Sequence, residues 1–355
     1  MKKIIYIFMS LAALFSVAGC DDFLDKQPQS SVTPSSYFKA EADLAAYSIN
    51  LYAFTSIGPG SYGISTFGSD NGTDNQAAVD YSSFWVPGEW RVSATSGVWN
   101  FSQIRHCNYF LEQVLPKHEA GEIQGSAANI RHYIGEIYLI RAYAYFNMLQ
   151  NIGDCPIVET ALPDQEEVLV EASKRQPRHK VARFILSDLD KAAQMLLETS
   201  PAGKTRVGKS VAHLLRSRVA LYEGTWLKHH KGTAFVPGGQ GWPGKTEDAS
   251  GLNIDSEISY FLTEAMASAK AVGEEIVGKL TANTDTEEGM DVSFKTLNPY
   301  YVMFCDYSLE NYPEVLMWRE YNEAQGVTHN IQMQLMRNGG GTGWTRGLVN
   351  SFLME

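Results

Sequence analysis

Five aromatic and two polar residues carry the chemistry that the residue types and spacing of this chain best support. Tyr81, Trp85, Trp90, Trp242 and Trp344 lie in stretches rich in glycine or proline, and Asp70 and Asn75 share one such stretch. Flat rings displayed from loops stack on the C–H faces of a sugar, each good stack contributing about 1 kcal/mol. Carboxylates and amides at the rim then take the sugar hydroxyls, and glycine lets the backbone approach closely. Two other readings stay open. Loop aromatics also tuck inward as core, and interfaces between proteins favour Tyr and Trp.

Other constellations are weaker. Gly58-Pro59-Gly60-Ser61-Tyr62-Gly63 satisfies G-x-G-x-x-G, but a dinucleotide site needs that phrase between a strand and a helix. Here it follows a helical pattern and enters a turn-rich loop. The chain has neither a G-x-S-x-G elbow nor an H-E-x-x-H pair. Asp70 to Asn75 offer oxygens to a cation without the spaced acids and final glutamate of a calcium loop. His229 and His230 are adjacent, so on a helix they diverge rather than share a metal; at a helix C-terminus their charge is favourable. Asp285-Thr286-Glu287-Glu288 reads as a solvated charge run. No acid is singled out as half of a two-carboxylate hydrolytic device. No cofactor is implied, and the expected class is a binding module rather than an enzyme.

The elements that must position the loops are helices. Leu44, Tyr47 and Leu51 open a stripe, and Ile104, Asn108, Leu111 and Leu115 form another. Longer stripes predict helices over about 127–150, 178–197, 208–228 and 256–277, with Gly153 and Pro156 ending the first and Asp255 or Ser256 capping the last. Each stripe needs a neighbour, so the helices are expected to pack pairwise. Tyr300–Phe304 and Val315–Trp318 read as short strands. Arg141 lies on an apolar stripe and needs a partner; Asp154 and Glu136 are the candidates. Arg216 and Arg218 are given the same ion-pair reading, Asn108 is expected to bond backbone, and Trp99 is expected in the core. Cys107, Cys155 and Cys305 are an odd number without zinc-like spacing and read as buried free thiols, one disulfide with one free thiol being the alternative.

The leader sets the compartment. Lys2 and Lys3 precede an apolar run from Ile4 to Val17, and Val17-Ala18-Gly19-Cys20 closes it. That order is a secretory signal, too short for the roughly 20 residues that cross a bilayer. The cysteine at its end makes it resemble a bacterial lipoprotein signal, with Cys20 carrying acyl chains such as palmitate. Residues 20–36 are polar, interrupted by Pro28 and Pro34, and read as a tether. The chain is 44% hydrophobic and 19% charged, enough to bury a substantial core, and its net charge of −11 excludes a nucleic-acid partner.

Four phrases in order resemble the SusD/RagB family of outer-membrane lipoproteins of Bacteroidetes: Cys20 followed by DDFLDKQP, IRAYAYFNMLQNIGDCPIV at 140–158, VAHLLRSRVALYEGTW at 211–226 and GTGWTRGLVNSF at 341–352. The resemblance implies a mostly α-helical fold with tetratricopeptide-like helix pairs and an irregular, long-loop binding side. The Arg141 and Arg216 phrases are not spaced by a multiple of the roughly 34-residue tetratricopeptide period, so any repeats carry insertions. It divides the chain into a signal (1–19), the tether (20–36), a helical region with long loops (37–280) and the start of the C-terminal region (281–355), which is expected to continue past residue 355. It implies capture of an oligosaccharide at the cell exterior and delivery to a SusC-like TonB-dependent barrel, without catalysis. A lipid-anchored helical glycan hydrolase and a helical-repeat protein-binding scaffold are the alternatives.

Overall fold

The computed structural model describes residues 37–52, 70–80, 82, 86–89, 99–283, 298–328, 336 and 341–353. Its helices follow the apolar stripes. The longest, α3, runs Ala127–Ile152 and is buried on nearly every face. Such a helix sits inside a bundle rather than on its surface. Around it stand α1 (Glu41–Ile49) and α2 (Ser102–Glu119). On another side come α5 (Arg178–Met195), α6 (Lys209–His229) and α7 (Ile254–Ile276), with the short α4 (Glu166–Ala172) in the connection from α3 to α5.

Side-chain pairs give the direction of each helix. Arg141 bonds Asp188 and Tyr145 packs on Phe184, so α5 returns antiparallel along α3. Arg178 meets Glu223 while Arg216 meets Asp190, so α6 reverses along α5. Ser210 bonds Glu275 and Arg216 bonds Glu264, so α7 reverses along α6. The layer is a run of antiparallel helix pairs, mostly α as the sequence predicts. The α4 helix carries no apolar stripe, so the sequence does not predict it.

Three local expectations are corrected. Tyr300 to Met303 belong to a helix, α8 (Pro299–Met303), not a strand. Asn298 Oδ1 accepts from Tyr300 N at 2.9 Å, and a proline in the first turn is pre-set for helix. Residues 315–318 are irregular; Trp318 N donates to Lys204 O at 3.0 Å. The α7 cap is Asn253, whose Oδ1 accepts from both Asp255 N and Ser256 N at 3.1 Å.

The buried arginines also find other partners than expected. Arg141 makes a fork to Asp188, with Nε–Oδ2 2.7 Å and Nη2–Oδ1 2.8 Å, and bonds Asn108 Oδ1 at 2.8 Å. Glu136 is five residues away on the same helix, about 140° around it, and faces Arg206 instead at 2.9 Å. Asn108 bonds backbone as expected, donating to Val158 O and Thr160 O. Arg216 is paired, but Arg218 is exposed and makes no ion pair among the described residues. Cys107, Cys155 and Cys305 are all free thiols; Cys305 is exposed, not buried. Trp99 is 39% exposed rather than core, because it precedes α2 and its ring lies under the Arg175 guanidinium.

Two strands complete the described chain. β1 (Gln76–Ala78) pairs antiparallel with β2 (Thr342–Trp344), setting Gln76 opposite Trp344, and α9 (Arg346–Phe352) follows.

Candidate functional site

The C-terminal end of α3 is where the loops and the helix layer produce a site. Gly153 closes the helix with φ 71°, a left-handed turn that favours glycine, and delivers Asp154 beyond the end. Asp154 Oδ1 accepts from Arg178 N at 2.8 Å, the first residue of α5. That places a carboxylate against the positive end of a helix. Its other oxygen, Oδ2, accepts from Trp242 Nε1 at 2.7 Å. One acid therefore joins α3, α5 and the long glycine-rich loop between α6 and α7.

The loop is folded rather than loose. At its start Lys231 Nζ bonds Asp255 Oδ1 of α7 at 2.7 Å. At Gly239 a Cβ would lie 2.0 Å from Thr233 O, so only glycine permits the loop to cross itself there. Trp226 of α6 donates from Nε1 to Phe235 O at 3.1 Å. The Arg178 guanidinium stands 4.2 Å from the Trp226 ring centre and bonds both oxygens of Glu223, the closest at 2.8 Å. Burial pushes the Glu223 carboxyl up, and the Arg178 guanidinium pulls against it.

The result is a cleft of about 420 Å³. The rings of Trp226, Phe235 and Trp242 line it, and Gln150, Asn151, Asp154 and Arg175 add polar groups. Flat apolar surface beside fixed donors and acceptors is what an oligosaccharide site requires. A smaller cavity of about 220 Å³, lined by Phe101, Ile104, Pro156, Val158, Leu162 and Leu169 among others, contains no carboxylate and only one ring.

The residues nominated from sequence separate into groups. Trp242 is in the cleft. Trp344 lies in β2, and Asp70 and Asn75 lie in the turn that leads into β1; none of them lines the cleft. Thr345 N donates to Asn75 O at 2.9 Å, and Asp70 O accepts from Thr73 N at 3.1 Å. Trp344 is 69% exposed and its ring lies 6.5 Å from that of the equally exposed Phe352. Tyr81, Trp85, Trp90, Cys20, the Gly58–Gly63 phrase and the Asp285–Glu288 run lie outside the described residues. No cluster of His, Cys, Asp and Glu with metal-binding geometry occurs among the described residues. His230 instead packs its ring on Trp226 at 4.4 Å.

Sequence reasoning missed Asp154, Arg175, Trp226 and Phe235 as cleft residues. Trp226 sits on a helical stripe and reads as core. Asp154 follows a helix-ending glycine, a position that aims a side chain past the helix end, and that was the available signal.

The model of the SusD-like family, described as "Starch-binding associating with outer membrane", matches residues 22–221. The match is more than half of the chain, and this protein belongs to the SusD-like family. It includes α3, α5 and most of α6, with Asp154, Arg175 and Arg178; Trp226, Phe235 and Trp242 lie beyond it. SusD-like protein P2 of Formosa agariphila is 25% identical over 264 residues, 66% of this chain and 46% of its own length. A SusD-like protein of Bacteroides ovatus is 22% identical over 365 aligned positions, 99% of this chain and 62% of its own length. A crystal structure of a SusD-like protein from Bacteroides fragilis aligns over 74% of this chain and 43% of its own, at 21% identity and a TM-score of 0.48. The chain thus spans from under half to about three fifths of the length of these relatives.

Proposed function

We propose that this protein is a lipid-anchored, outward-facing receptor of the outer membrane that captures an oligosaccharide without cleaving it and passes it to a SusC-like TonB-dependent barrel. The observation that carries the reading is the Trp242 indole, fixed by Asp154 over a cleft that also displays Trp226 and Phe235. A ring that is pinned before the ligand arrives loses little entropy on stacking. Family membership and the family description support a carbohydrate ligand and an outer-membrane location. The lipoprotein leader supports the anchor.

The carboxylate that lines the cleft, Asp154, and the buried Glu223 behind it favour capture over hydrolysis. Asp154 spends both oxygens on protein donors, and Glu223 is buried against Arg178. A glycoside hydrolase needs one acid to protonate the leaving oxygen and a second to attack or activate water. Neither group is aimed at a substrate.

The test is electrophoresis of the purified protein through gels containing starch-type and other polysaccharides, with chromatography of the polysaccharide afterwards. Retarded migration without released products is the expected result. Products abolished by one Asp or Glu change would establish a hydrolase. Co-purification with a barrel protein without retardation by any polysaccharide would establish a scaffold.

A further inference from the structure

One charged group of the cleft is unaccounted for by the frame around it. The buried arginines of the helix layer have carboxylate partners: Arg141 with Asp188, Arg178 with Glu223, Arg206 with Glu136 and Arg216 with Asp190 and Glu264; the exposed Arg183 pairs with Glu257. Arg175 is exposed at the cleft and has no carboxylate partner among the described residues. Its guanidinium lies 4.6 Å from the centre of the Trp99 ring. That stack covers one face of the group and leaves its N–H edges directed elsewhere.

The acid among the residues that line the cleft is already committed. Asp154 gives Oδ1 to Arg178 N and Oδ2 to Trp242 Nε1. Arg178 and Glu223 compensate one another. The cleft therefore presents, beside its rings, a planar cation held by an indole and lacking an anion from the described residues. A guanidinium in that state is a fork for a carboxylate or a sulfate. The net charge of −11 gives no general attraction to a polyanion. Discrimination must come from this short-range contact.

We propose that the cleft takes an acidic glycan, with Arg175 as the specificity-determining residue that pairs with a sugar oxyanion, a uronate carboxylate or a sulfate ester, while Trp242 stacks on a ring. The inference rests on the reading of the cleft as the glycan site. It predicts that Trp99 is a positioning residue, because it orients the fork without touching the sugar.

The experiment uses the full chain and three polymers: polygalacturonate, a sulfated galactan, and polygalacturonate whose carboxyls have been reduced to alcohols. Affinity electrophoresis and titration calorimetry compare the wild type with Arg175→Gln, Arg175→Lys and Trp242→Ala. One acidic polymer is expected to bind the wild type more tightly than the reduced one, and which of the two binds identifies the oxyanion. Arg175→Gln then weakens that binding about ten- to a hundredfold, the range of a charge-assisted fork. Arg175→Lys restores part of it, and in both variants binding of the reduced polymer falls less than that of the acidic one. If Arg175→Gln binds the acidic polymer as the wild type does while Trp242→Ala does not, the inference fails and the glycan reading stands. Tighter binding of the reduced polymer than of both acidic ones overturns the inference in the same way. If none of these polymers binds while a starch-type or other neutral polysaccharide does, the inference fails and the glycan reading stands; if Trp242→Ala binds like the wild type, the reading of the cleft fails and the inference with it. Unchanged melting temperatures keep misfolding out of the comparison.

Discussion

Trp242 is both a ring and a donor, and the two roles separate by substitution. Removing the ring in Trp242→Ala is expected to weaken glycan binding about tenfold, the loss of one good stack plus its desolvated edge. Trp242→Phe keeps a ring but loses the bond to Asp154, so its affinity should fall between the two, measured by calorimetry at constant temperature. A lower melting temperature with unchanged affinity would make Trp242 a packing residue instead. Of the aromatics nominated from loop composition, Trp242 was legible because glycine and proline surround it. Its partner was not: an acid just past a helix end has several candidate donors in the sequence, and only the fold shows that Asp154 faces Arg178 N and an indole. His179 gives a separate residue-scale prediction. Burial pushes it down to about 4, and its Nδ1 has no hydrogen-bond partner among the described residues. Its unfolded value is near 6.5. The neutral ring thus contributes stability in full above about pH 6.5, and that contribution is lost as pH falls toward 4, because the unfolded chain takes the proton first. His179→Leu should therefore show a flatter decline of melting temperature between pH 7 and pH 5 than the wild type. Parallel curves would remove His179 from the acid response.

Among elements, α3 and α5 are coupled through a buried fork that the sequence hid for a geometric reason. Spacing along one helix offered Glu136 for Arg141, yet five residues turn a side chain about 140° away. The true partner, Asp188, comes from a helix whose stripe was legible but whose register against α3 was not. Asn108 of α2 holds the remaining edge of the guanidinium, so three helices share one charge. Arg141→Met leaves the buried Asp188 with only the longer contact to Lys191 Nζ at 3.7 Å. The expected cost is about 3–5 kcal/mol in urea unfolding, since an uncompensated buried carboxylate is destabilising. The double variant Arg141→Met, Asp188→Leu should recover much of it; equal loss in both would assign the cost to packing rather than charge. The long helices were readable because each repeats its apolar residues over several turns. The short ones were not. α4 spans seven residues and α8 five, too few for a period to register. Aromatic residues at 300–304 suggested a strand, while Asn298 and Pro299 held the stronger helix-start signal. The β1–β2 pair joins residues far apart in sequence, and three-residue strands carry no local signature of their partner.

For the whole molecule, the question is what holds an acidic, ion-pair-laced helical body at a membrane. No helix among the described residues is long and apolar enough to cross one. Lys and Arg are outnumbered by Asp and Glu, 29 to 40, so attraction to an anionic bilayer surface does not supply the hold. The anchor proposed above, through a leader ending in Cys20, is a different means. Acyl chains contribute about 0.8 kcal/mol per buried methylene, and two or more chains together anchor stably where one alone does not. On the proposed reading, the polar stretch from residue 21 to 36, which contains Pro28 and Pro34, is the link between the anchor and the helical body. Cys20→Ser removes the sulfur to which the first chain attaches and leaves the helical body untouched. The variant is expected to move from the membrane pellet to the soluble fraction, with glycan affinity and melting temperature unchanged. Metabolic labelling with a palmitate analogue should mark the wild type and not the variant. A Cys20→Ser protein that still pellets with membranes, in cells lacking any partner barrel, would show that the attachment lies in the protein surface and would overturn the anchor.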